Sequence, residues 1–480
     1  MAGPGALTIA CGLLVAWHIG LGSDPFMLAV MALISMLGFY RLVAGRLWFG
    51  DLLVAGGALY SGFLPLIIKG ALGQPLQTNL HHPQEAAGVM LSGFLVLWCL
   101  AAAARTVARG RARFPLTDCY ENPELQGRLF LPLLGSGLLI LGLHVALRPR
   151  MVDAVLQQGP GFGGFGSFTF LLILALALGV SRTMRGQGGR AVLAAAGAAL
   201  LLMALASNTR REFAEFVLVL AAGLLIYRQR PGLPMAIGAA VAGAVLLLYV
   251  APLIHLMRGQ TAGLGLVGRL ELAFNILVDH RFSPGALRLA EAQFLTGFGY
   301  AWSENGSYIW PSTRSLDRFM LILPIDQVLR GLAQNGPIGL TPFLREIAEG
   351  VLPSLFIQKT NAVGADLVAW EHGIRQYGNA ARPVIGFTAS ALAAAGMWGV
   401  VLLPVLIAFP LMLTGNLIFG PLAHRAIGIF LLAQGWILPE MTFDALAVFA
   451  LRPFVLMLIV LWLLARRGPQ RLRVPQSAGA

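Results

Sequence analysis

Apolar runs of about 20 residues recur almost from end to end of this 480-residue chain, and nothing else restricts its fold as much. A helix crossing a hydrocarbon layer about 30 Å thick needs about 20 apolar residues and satisfies its backbone polar groups internally. The strict apolar–polar alternation of a membrane β-barrel is missing, so the runs read as helical spans. Composition agrees. Hydrophobic residues make up 57% and charged ones only 11%, against roughly 25% charged in soluble domains. The expected fold class is an all-α polytopic membrane protein.

Twelve spans are expected, at 5–22, 25–43, 50–69, 86–104, 128–147, 164–181, 190–206, 212–228, 233–254, 385–413, 426–439 and 449–465. An even number puts both termini on one side. One set of connections carries Arg41 and Arg46, Arg105 to Arg113, Arg182 to Arg190, Arg228 and Arg230, Arg425, and the tail Arg466 to Arg473. By the positive-inside rule these ends and both termini are cytoplasmic. The first apolar run has no basic leader and no clear cleavage site, so it reads as a span. The resulting organisation is an N-terminal bundle of about nine helices over 1–254, an extracytoplasmic cap over 255–384, C-terminal helices over 385–466 and a basic tail over 467–480. Two alternatives stay open: 385–413 breaks at Pro404 or Pro410, and 426–439, polar at Gln434 and Glu440, is re-entrant.

The net charge of +13 sits mainly at span ends, which argues against nucleic acid as a partner. Cys11, Cys99 and Cys119 are scattered and form no disulfide framework or ligand spacing. Clustered Cys/His, HExxH, P-loop and GxSxG patterns are all missing, so neither a metal nor a cofactor is expected. The glycine-rich stretch 159–166 reads as an outer loop. The cap is nearly neutral, with eleven basic and ten acidic residues. It mixes Trp302, Tyr308, Trp310 and Trp370 with apolar stretches and Gly/Pro breaks, a pattern of short helices joined by turns.

The most informative local feature is Asn208-Thr209-Arg210-Arg211-Glu212 between two spans on the predicted outer side. Paired arginines there run against the positive-inside bias. One reading has them snorkelling to headgroups and neutralised by Glu212 and Glu215. The other is an anion site, since guanidinium matches phosphate geometry and a helix start adds backbone donors. Arg281, Lys359 and Arg382 are further basic candidates in the cap, whereas Asp317-Arg318 and Arg345-Glu346 read as local pairs. Candidate bases include His255, His280 and Asp279, and most of all Glu371 and His372. Ionisable residues are scarce at mid-span, which weighs against a coupled transporter.

Those residues bring a family into view. Over 190–410 the chain resembles the bacterial oligosaccharide repeat-unit polymerases, the O-antigen (Wzy-type) polymerases, which are related to the O-antigen ligases. The resemblance rests on Ser207 to Arg211 at a span junction, on 350–359 (GVLPSLFIQK) and on 386–400 (GFTASALAAAGMWGV). The chain departs from the family pattern at Pro353-Ser354, at Ile357-Gln358-Lys359 and at Thr388 and Ser390. The resemblance implies a GT-C-like glycosyltransferase using undecaprenyl-diphosphate-linked glycans at the outer face of the bacterial inner membrane, with a chain-length regulator as a further partner. On that reading Arg210 and Arg211 hold the donor diphosphate. Lys359, Arg382, Arg281 and Glu212 contact substrate, and His372 or Glu371 takes the acceptor proton. An O-antigen ligase and a lipid-glycan flippase are the rivals.

Overall fold

The computed structural model describes residues 4–45, 47–110, 116–146, 151–152, 155–156, 168–209, 211–227, 233–257, 260–261, 264–297, 307–309, 317–352, 356–357, 363–375, 377 and 383–466. Their architecture is helical, apart from a two-residue antiparallel pairing of Met151–Val152 with Val155–Leu156. In chain order the helices are α1 (Pro4–Gly20), α2 (Pro25–Ala44), α3 (Phe49–Ala71), α4 (Pro83–Ala108), α5 (Pro123–Ala146), α6 (Phe170–Met184), α7 (Arg190–Ser207) and α8 (Arg211–Tyr227). Next comes α9, which runs from Leu233–Val245 through a π turn into Ala251–Met257. The cap region supplies α10 (Leu266–Asp279), α11 (Pro284–Gly297), α12 (Ile322–Asn335), α13 (Thr341–Val351) and α14 (Gly364–Glu371). The chain then returns through α15 (Phe387–Phe419), α16 (Ala426–Gly435), α17 (Phe443–Leu451) and α18 (Pro453–Arg466).

Among the described residues, eight helical stretches are long and apolar enough to cross a membrane. They are α2, α3, α4, α5, α7, the second part of α9, α15 and the α17–α18 pair. Shorter apolar helices lie at Gly5–Gly20, Phe170–Met184 and Ala426–Glu440. The protein is therefore membrane-embedded. Local chemistry sets the helix ends. Asp24 caps α2 by accepting from the Met27 N–H at 2.9 Å, Pro25 takes the first helical position, and Gly45 closes the helix in a left-handed conformation at φ 69°. The Met27 N–H and the Gln84 amide hold the Asp24 carboxyl below its usual range.

Helices α2 and α3 approach so closely that glycine is required between them. A Cβ on Gly38 would lie 2.1 Å from the Ala58 Cβ, and one on Gly62 only 2.7 Å from the Met31 carbonyl oxygen. Small residues let backbones meet where lipid supplies no hydrophobic drive.

The alternative of a break at Pro404 or Pro410 gives way to one elsewhere. Helix α15 kinks at Ala395 (φ −146°) and Gly396 (φ 61°), while the Pro404–Ala408 stretch continues as a π turn. The left-handed conformation suits glycine, and a proline in a widened turn can keep the helix going. The segment 426–439 also departs from a simple span. Its α-helix stops at Gly435, and a single 3₁₀ turn, Leu438–Glu440, carries Glu440 into the protein interior.

The arginine-bearing connections do converge on one end of the bundle. Arg105 and Arg41 reach Asp51, Arg185 pairs with Glu121, Arg425 pairs with Asp118, and the Leu422 N–H donates to the Leu47 carbonyl at 2.8 Å. The cap helices pack at the opposite end. Asp326 of α12, fully buried, accepts from the His81 and His82 N–H groups at 2.6–3.0 Å, which ties α12 to the connection before α4. The Tyr308 hydroxyl donates to the Leu76 carbonyl at 2.7 Å, and Lys69 Nζ stands 4.2 Å from the Tyr308 ring centre. Short helices joined by turns were expected here. They are not a detached layer, because the buried Ile322, Ile325 and Val328 wedge α12 between α4 and α15.

Candidate functional site

The most connected polar cluster toward the cap end is built on a carboxylate far from its partners in sequence. Glu440 is 3% exposed at its side chain. Its Oε1 accepts from the Tyr60 hydroxyl at 2.7 Å, and its Oε2 accepts from Arg318 Nε and Nη2 at 2.9 and 2.7 Å. Tyr60 stands in the π turn Leu59–Phe63 inside α3, a widening that often marks functional positions. Trp436 stacks on its ring at 18° between planes, and Phe319 packs at 5.9 Å. The Tyr60 carbonyl accepts from the Leu321 N–H, so the same turn also fixes the start of α12. Arg318 is 41% exposed, and its Nη1 has no partner among the described residues. One face of the guanidinium is thus anchored and another is open.

Arg211, at the start of α8, is exposed and lies close enough to feel the charge of Glu440. Its Nε donates to Glu215 Oε1 at 2.7 Å, an i,i+4 pair. Glu212 accepts instead from the Thr209 hydroxyl. Glu215 is thus the ion-pair partner of Arg211, through Nε, and the guanidinium stays exposed. A narrow apolar groove adjoins the cluster, between Ser61, Phe94, Leu321, Phe387, Leu438 and Pro439. At about 40 Å³ it has room for no more than a few waters.

The sequence-derived candidates fare unevenly. Arg210, Lys359 and Arg382 lie outside the described residues, as do Pro353, Ser354 and the 159–166 stretch. Arg281 is exposed in the turn after α10 with φ 51°. His280 Nδ1 bonds the Ile276 carbonyl at 2.8 Å, so that ring serves its own helix end. His255, on the helix that gives Leu253 and Met257 to a small apolar cluster, is buried against Glu291 of α11. Both local pairs read from the sequence need correction. Arg318 turns to Glu440, and Asp317 serves the Tyr308 N–H and the Ser307 hydroxyl. Arg345 bonds Glu349 at 2.8 Å, because side chains four apart share a helix face and adjacent ones do not.

Glu371 and His372 end α14 and separate sharply. Glu371 is exposed, whereas His372 is buried against Gly331 of α12, about nine residues and about 14 Å along that helix from Ile322. Among the described residues, no hydrogen bond or ion pair links either one to Arg318 or Glu440. Neither His372 ring nitrogen makes a well-formed hydrogen bond. Burial pulls its pKa below the usual value, outweighing the Gly331 backbone and Glu371, which favour the proton. A folded-state pKa lowered in this way means that the neutral ring stabilises the fold. That contribution is complete above the unfolded value of about 6.5 and is lost as pH falls through the lower folded value. Melting temperature measured from pH 7.5 to 5 should therefore decline, and His372→Phe should flatten the decline. An unchanged slope in that variant would assign the acid sensitivity to another group.

Sequence reasoning left Tyr60 and Trp436 unmentioned and gave Glu440 only a topological role. A tyrosine inside an apolar run was the one available signal for the first. Compared with known protein families, curated proteins and solved structures, the chain matches none.

Proposed function

We propose that the chain is a GT-C-like glycosyltransferase of twelve spans that polymerises undecaprenyl-diphosphate-linked oligosaccharide repeat units, of O-antigen, exopolysaccharide or capsule, at the outer face of the bacterial inner membrane. The observation that carries this reading is Arg318, anchored on buried Glu440 with its Nη1 unengaged among the described residues, with Arg211 near enough to feel the charge of Glu440. Both termini would be cytoplasmic, and a chain-length regulator would be the natural partner. In the transfer, the bond from the donor sugar's anomeric carbon to the diphosphate oxygen breaks. The acceptor hydroxyl oxygen forms the new glycosidic bond and gives up its proton. Charge then builds on the departing lipid diphosphate, where a prearranged guanidinium acts most strongly. Arg318, with Arg211 and Arg210, would hold that diphosphate, and Tyr60 and Glu440 would position Arg318. Of the two proposed bases, Glu371 is the one open to solvent.

The deciding experiment gives purified protein in lipid an undecaprenyl-diphosphate-linked repeat unit. Longer lipid-linked glycans support the reading. Transfer only to lipid A core would make the protein a ligase, and translocation without bond formation would make it a flippase.

A further inference from the structure

A second polar site lies at the other end of the bundle, where α2, α3 and α4 meet. A cleft of about 360 Å³ opens there between Tyr40, Arg41, Trp48, Arg105, Arg109 and Pro421. Three guanidiniums line it, and two of them, Arg41 and Arg105, reach one carboxylate, Asp51. Asp51 is fully committed: its Oδ1 takes Arg105 Nη1 at 2.8 Å and lies 3.7 Å from Arg41 Nε, and its Oδ2 accepts from the Trp48 N–H at 3.0 Å. Arg105 is buried at the inner wall, whereas Arg109 is exposed at the mouth with no ion pair among the described residues. Arg41 and Arg109 are both near enough to repel Arg105. Among the described residues, the three arginines of the cleft thus share a single carboxylate partner.

We infer that this cleft binds a phosphate-headed anion. Guanidinium forks match phosphate oxygens, and convergent arginines at a membrane boundary favour phosphate over a halide or a single carboxylate. The volume falls at the lower end of small-molecule sites, which span roughly 300–1,000 Å³, and suits a headgroup-sized phosphate ester. Tyr40 and Trp48 have the amphipathic rings that settle at headgroup level. The same chemistry has two sources: a phospholipid headgroup entering sideways from the bilayer, or a soluble phosphate ester from the aqueous side.

The test uses the full chain in neutral detergent and counts bound molecules by native mass spectrometry. Phosphatidylglycerol should be retained at one per chain and phosphatidylcholine should not. Arg41→Gln and Arg109→Gln should each weaken retention about fivefold, at about 1 kcal/mol per surface charge, and the double variant about 25-fold. Arg41→Gln gives up only the longer, partly exposed contact to Asp51, and both variants leave the Arg105–Asp51 pair in place, so melting temperature should change little. Displacement by millimolar inorganic diphosphate would identify a soluble phosphate as the occupant, and resistance to it would identify the lipid. Equal retention of phosphatidylcholine, or unaltered affinity in the double variant, overturns the proposal.

Discussion

Arg318→Ala should lower polymer yield by a factor on the order of 10² to 10³, the usual cost of removing one prearranged donor to developing negative charge. The effect has two parts. The open guanidinium edge disappears from the diphosphate site, and Glu440 keeps only the Tyr60 hydroxyl for its buried charge. Breaking a fully enclosed ion pair costs about 3–5 kcal/mol. Arg318 is 41% exposed, so water can replace part of its contact and a stability loss of about 1–3 kcal/mol is expected. Chain-length distribution and yield, compared at matched membrane levels, separate rate from abundance. Arg318→Lys should recover only part of the activity, since lysine lacks the planar fork. Glu440→Gln leaves the shape but weakens the charge-assisted bonds, and about tenfold loss is expected. Near-normal polymer from Arg318→Ala would remove this arginine from the mechanism and with it the main support for the catalytic reading.

The largest effect on folding is expected at Gly38. Leucine there would drive its Cβ to 2.1 Å from the Ala58 Cβ, closer than any real contact, so α2 and α3 must separate. Overpacking of this kind costs typically 1–3 kcal/mol. Gly38→Leu should reach the top of that range, because α2 also meets Gly62 through the Met31 carbonyl and Ser35. Separation would disturb the π turn that carries Tyr60, so activity should fall along with melting temperature. Gly88→Ala on α4 is the control. Nothing lies within 4 Å of its added Cβ, and alanine in a helix is worth about 0.5–1 kcal/mol over glycine. Equal melting temperatures for Gly38→Leu and the parent would show that α2 and α3 are not held this closely.

Much of this protein is set by local sequence. Apolar windows of span length and arginines at helix ends act within a few residues, so helix positions and the shared end of the arginine-bearing connections were legible in the sequence. The Arg211 turn was legible in part: Glu212 and Glu215 were both read as partners, and helix geometry selects Glu215, four residues on, while Glu212 turns to Thr209. The rest depended on packing. Neither the kink at Ala395–Gly396 nor the stop of α16 at Gly435 follows from the prolines that looked like the natural breaks. Glu440 meets Tyr60 across 380 residues and Arg318 across 122, and no periodicity links positions so far apart. Sequence fixes which segments need lipid. Only the tertiary structure decides which polar side chains, once inside, find one another, because a buried charge is stable only where the folded neighbours supply its partner.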